Sequence, residues 1–172
     1  QVYKTIDGKL IVNVKQRQPI ARIFSKKDSY YMDENGELMP LSYKYTARLM
    51  VVSGSLNEPY AKRYPFNYNN LEDSLATKTL LDDIFRLTNF IHKSAFWKAQ
   101  IEQVTVNKVS EFELIPKVGN HKIVIGRAIN LKEKFEKLMI FYKKGLAKTG
   151  WNEYTKINLK YKNQVVCKKR NN

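Results

Sequence analysis

A chain of 172 residues with 43% hydrophobic content is long enough for one or two small domains around a true core, and too apolar to be disordered. Its single cysteine, Cys167, excludes an internal disulfide and a cysteine-rich metal site, and no apolar run approaches the roughly 18 residues of a membrane span. The net charge of +15 is unevenly placed: from Lys117 onward 15 Lys and Arg face 3 Asp and Glu, a net +12, which leaves +3 for the first 116 residues. Such asymmetry suits an acidic protein surface, nucleic acid or anionic lipid, but no zinc-finger spacing, aromatic RNA-binding strand or Gly-x-x-Gly loop marks a nucleic-acid module.

The chain opens at Gln1-Val2-Tyr3 directly in strand-like sequence, as a fragment with its upstream part removed would. Tyr3 to Ile6 and Lys9 to Gln16 read as a hairpin across an Asp7-Gly8 turn, with Leu10, Val12 and Val14 alternating against Ile11, Asn13 and Lys15. Pro19 interrupts, and Ile20 to Phe24 resumes as a strand, since proline belongs at a strand start or edge. Tyr30 to Asp33 and Glu37 to Pro40 flank a Glu34-Asn35-Gly36 turn and form a second hairpin; Leu49 to Val52 reads as a buried strand closed by Ser53-Gly54.

Residues 54 to 70, rich in Asn, Pro, Tyr and Gly, read as a long exposed connection. A helix is predicted from about Asn70, with Glu72 and Asp73 at its positive end. Its stripe of Leu80, Leu81, Ile84, Leu87, Phe90 and Ile91 faces a sheet, Asp82-Asp83 lie on its solvated side, and His92 caps its carboxyl end. After Ser94-Ala95-Phe96-Trp97 the pattern returns to strands at Ile101 to Lys108, Glu111 to Pro116 and His121 to Gly126. A second helix carries Leu131, Phe135, Leu138, Met139 and Tyr142 on one face, with Asn130 and Glu133 spaced as a capping box and Gly150 as its stop. From Lys156 to Lys169 the alternation of Ile157, Leu159 and Tyr161 with Asn158, Lys160 and Lys162 predicts a final strand, lysine-rich and close to the terminus, as a sheet edge would be. The sum is an α+β protein, mainly antiparallel sheet with two principal helices packed on one face.

Catalytic chemistry is not evident. Glu111 and Glu113 have no matched acid or base, His92 and His121 lack metal-spaced companions, and neither a nucleophile elbow nor a phosphate-cradling glycine loop occurs, so no cofactor, metal or catalytic residue is assigned.

Arg17-Gln18-Pro19-Ile20-Ala21-Arg22, the Asp33-Glu34-Asn35-Gly36 hairpin, Glu113 to Pro116, Ile123 to Gly126, the Leu131 to Lys144 helix and Ile157-Asn158-Leu159-Lys160-Tyr161 follow one another in an order that resembles the bacterial cell-division protein family FtsQ (DivIB). The resemblance implies closing strands of a partial POTRA domain over residues 1–24 and an FtsQ-like β domain over 25–172. It implies a non-catalytic divisome scaffold, anchored in the cytoplasmic membrane by an upstream helix with this region on the extracytoplasmic, periplasmic side. It also implies FtsB and FtsL as partners, recruited by strand addition during septal wall synthesis. The partner-binding residues it points to are Lys160, Tyr161, Lys162, Asn163, Gln164, Val165, Val166 and Cys167. Asn158 and Lys160 depart from the family's usual Asp and Arg, and lysine lacks the planar fork with which arginine grips a carboxylate. The alternative left by the residues alone is a basic module that binds nucleic acid or anionic lipid. On its strand face Tyr161 is open to two readings, partner contact or core.

Overall fold

A computed structural model describes residues 2–14, 16–43, 46–60 and 79–170. Its main body is a nine-stranded sheet in the order β11-β10-β9-β8-β7-β6-β3-β4-β5. The strands are β3 (Pro19–Phe24), β4 (Ser29–Asp33), β5 (Leu38–Met39), β6 (Met50–Gly54), β7 (Ile101–Val106), β8 (Phe112–Pro116), β9 (Lys122–Gly126), β10 (Tyr154–Asn158) and β11 (Val166–Lys169). Neighbours run antiparallel except at β3/β6, β6/β7 and β9/β10. A separate two-stranded sheet pairs β1 (Val2–Lys4) with β2 (Leu10–Val12) around the expected turn at Gly8. The strand expected to reach Gln16 thus stops at Val12, and most of the hairpin's apolar side chains are exposed. Strand β3 pairs with both β4 and β6 inside the large sheet, across the position expected for a boundary near Ser25.

The helices cover one face. α1 (Leu80–Lys93) buries Leu81, Ile84, Leu87 and Ile91, which pack in one core with Ile23 of β3, Val52 of β6 and Val104 of β7. Burying a side chain of this size stabilises by about 1.5–3 kcal/mol, so the stripe anchors the helix by itself. Glu72 and Asp73, expected at its positive end, lie outside the described residues. The observed start is Thr79, whose backbone N–H donates to the Asp82 carboxylate at 2.7 Å. Asp82 is therefore buried in a capping role rather than solvated, while Asp83 pairs with Arg86 at 2.8 Å. At the other end the helix is closed by the Ser94 N–H donating to the Ile91 carbonyl, with His92 half-buried in the last turn and its pKa lowered by burial. A short α2 (Ala95–Gln100) follows, capped by the Ser94 hydroxyl, which accepts from the Trp97 N–H at 3.3 Å. Its six residues are too few to show a helical period, so the sequence predicts none there.

α3 (Leu131–Phe141) continues through a widened turn, Tyr142–Leu146, and a last turn, Ala147–Thr149, to Gly150, where the expected stop lies at φ +97°. The expected capping box at its start does not form: Asn130 is left-handed (φ +51°) and makes no side-chain cap bond. Phe135 packs edge-on and Tyr142 tilted against Trp97, at ring centroid distances of 5.0 and 5.8 Å, tying α3 and its continuation to α2. His121, at the turn into β9, is buried beside Tyr142 and Trp151, and burial lowers its pKa.

Candidate functional site at the carboxy-terminal sheet edge

The long final strand expected over Lys156–Lys169 is instead a hairpin. β10 ends at Asn158, residues 159–165 turn, and β11 runs back antiparallel in the register Ile157↔Cys167 and Asn158↔Val166. The turn forms because Asn158 folds over its own backbone, its Oδ1 accepting from the Lys160 N–H at 3.0 Å, and because Asn163 adopts a left-handed conformation (φ +58°) that asparagine tolerates. β11 closes the sheet on this side and, among the described residues, has β10 as its only strand neighbour.

Backbone parity says which groups face outward. The Leu159 N–H donates to the Val124 carbonyl on β9, so Ile157 and Leu159 point toward β9, while Lys156 and Asn158 point toward β11. Across the hairpin, the Arg170 N–H donates to the Glu153 carbonyl and the Lys168 carbonyl accepts from the Thr155 hydroxyl. Val166, Lys168 and Arg170 thus turn their backbone groups inward, and those of Cys167 and Lys169 face the uncovered edge. Arg170 also clamps the strand's end, donating to the Asn120 carbonyl at 2.6 Å and the Asn152 carbonyl at 3.1 Å.

The eight residues named from the sequence fall in four different places. Lys160 reaches away from β11: its ammonium lies 2.5 Å from Glu111 Oε1 and holds that carboxyl below its usual pKa. The stem crosses Gly126 (φ +72°), where an added Cβ would stand 2.8 Å from Lys160 Cγ, so glycine there makes room for it. Tyr161, Lys162, Asn163 and Gln164 form the exposed turn; Tyr161 is 49% exposed and lies outside the core. Because the strand ends at Asn158, the alternation that would have put Tyr161 beside Ile157 and Leu159 does not extend to it. Val165 and Cys167 lean onto the core, the latter's thiol pKa raised by burial, while Val166 is exposed on the opposite face. Beside the turn, Ile140, Phe141 and Val165 line an open groove of about 470 Å³ flanked by Lys137 and Lys144.

Two lysines of α3 support this site without any local sequence signal. Lys137 donates to the Tyr161 carbonyl at 2.7 Å and pins the turn. Buried Lys134 donates to the Ile125 and Arg127 carbonyls, each at 2.9 Å, and fixes the loop on which the Lys160 stem rests. Only their i, i+3 placement on α3 was readable in advance; the carbonyls they reach are set by tertiary packing.

Among the described residues no group of His, Cys, Asp or Glu is arranged to hold a metal, and no helix is long and apolar enough to cross a membrane. Fold and edge together define an α+β sheet domain, mostly antiparallel, that presents a basic strand whose outer edge has no strand partner among the described residues. Residues 18–168 match the family described as FtsQ/DivIB, C-terminal related, and the chain belongs to that family. It is a family of cell-division scaffold proteins, membrane-anchored and with an extracytoplasmic domain. No curated protein matches the chain.

Proposed function

We propose that this chain is a non-catalytic divisome scaffold that binds its partners by strand addition along β11, on the extracytoplasmic side of the membrane. The observation that carries the reading is the outward-facing N–H and C=O groups of Cys167 and Lys169 on an edge with no strand neighbour among the described residues. An incoming strand satisfies those groups, Tyr161 and Lys162 offer side chains at one end of it, and the groove at Ile140 and Val165 receives an apolar residue. By resemblance the partners are the FtsB- and FtsL-type division proteins, and residues 1–24 are the end of a POTRA domain whose last strand, β3, joins the sheet of the β domain.

Backbone parity dictates the test. Proline at 166 removes a donor that faces β10, so Val166→Pro damages the hairpin itself. Proline at 167 removes a donor that faces outward. In co-purification with FtsB and FtsL ectodomains, Cys167→Ala should bind as wild type, and Cys167→Pro should stay folded and lose the complex. A folded Cys167→Pro variant that retains wild-type binding overturns strand addition.

A further inference from the structure

The sheet register aligns three lysines. Lys122 of β9 stands opposite Lys156 of β10, and Lys156 opposite Lys168 of β11. Directly opposed residues share a face, so all three side chains project from the face away from the helices, on strands about 4.8 Å apart. All three are exposed. Like charges directly opposite one another destabilise a sheet. Compensation is lopsided: Glu113 lies 3.8 Å from the Lys122 ammonium, whereas among the described residues Lys156 and Lys168 make no ion pair. The unbalanced end of the row is the end at the open edge.

We propose that this lysine ladder selects the partner: the strand that adds to β11 carries an acidic side chain on the open face opposite Lys168, as the fourth rung. The inference rests on the strand-addition reading and deepens it. Because Cys167 and Lys169 supply the outward backbone groups, an antiparallel incoming strand pairs with Lys168 through a non-hydrogen-bonded site, where opposed Cα atoms are only about 4.5 Å apart and side chains approach most closely. A carboxylate there lies beside Lys168 and within reach of Lys156; an ammonium there extends the row of repelling charges. On the other face, the residues flanking the acid lie opposite half-buried Cys167 and exposed Lys169, and the next residue on that face beyond Cys167 reaches the Val165 groove; Cys167 and the groove select apolar side chains. The recognised chemistry is therefore an extended segment that alternates acidic and apolar residues.

The test fuses one of three strands behind Asn172 through a flexible Gly/Ser linker: valine alternating with glutamate, with glutamine or with lysine. The tether supplies a high effective concentration, and amide exchange at Cys167 and Lys169 reads pairing. The glutamate strand should protect these amides about tenfold more than the lysine strand, with a gap that narrows as salt rises. In a Lys168→Glu variant of unchanged melting temperature the order should reverse. Equal protection by all three strands, or an order indifferent to Lys168→Glu, overturns the ladder while leaving strand addition standing. No protection by any strand removes strand addition and the ladder with it. Binding to phosphatidylglycerol vesicles or duplex DNA that a Lys122→Gln, Lys156→Gln, Lys168→Gln variant loses, without a charge order among the strands, assigns the ladder to an anionic surface and also overturns the proposal.

Discussion

Replacing Lys134 by methionine removes a buried cation and keeps most of its length. Two carbonyls then lose a charged donor, that of Ile125 in a buried bond and that of Arg127 in a part-buried one. A hydrogen bond to a charged group contributes about 1.5–3 kcal/mol, so two give roughly 3–6 kcal/mol of loss. Part is recovered because the ammonium no longer has to be desolvated, the same burial that lowers the Lys134 pKa. The net expectation is a loss of about 2–4 kcal/mol, which for a chain of this length lowers Tm by roughly 5–15 °C. Urea unfolding followed by the fluorescence of Trp97 and Trp151 measures it. The same variant should free the loop under Lys160, weakening its pair with Glu111 and raising the Glu111 pKa toward its usual value in a carboxyl titration. A Lys134→Met protein as stable as wild type would refute the reasoning, since it would mean that neither carbonyl depends on the ammonium.

Two further outcomes follow from exposure and burial. Tyr161→Ala should change stability by less than about 0.5 kcal/mol, because the ring lies outside the core, yet weaken binding of an FtsB-type ectodomain by roughly 1–3 kcal/mol; a fallen melting temperature with unchanged affinity would reverse that assignment. His121, facing Tyr142, Gly119 and the Trp151 carbonyl, is held neutral by burial, its folded pKa below 6.5. Below that pH the unfolded chain takes up a proton that the folded chain refuses, so stability present above pH 6.5 is lost as pH falls toward the lowered value. His121→Asn should flatten the melting-temperature profile there more than His92→Asn, whose lowered pKa gives the same sign from a more exposed site.

Elements whose signal is local were legible from the residues alone. Period-two alternation marks β7 to β9, a wide apolar stripe marks α1 and α3, and Asp-Gly and Asn-Gly turns mark the hairpins, because each pattern is written within one element's span. The order of those pieces was also enough to show the family resemblance. Where local chemistry offered two answers, packing chose. Asn130 turns left-handed instead of capping α3, and the Asp82 carboxylate turns back onto Thr79 instead of facing solvent. The edge belongs to the tertiary structure. A run from Ile157 to Tyr161 reads equally as one strand or as a strand and its turn, and only pairing with β9 and β11 ends β10 at Asn158 and turns Tyr161 outward. The outward donors at Cys167 and Lys169, the Lys137 and Lys134 carbonyl contacts and the row Lys122, Lys156, Lys168 each join residues brought together by strand register or helix docking. Such contacts have no sequence period, since register is set by which face of each strand the whole core buries.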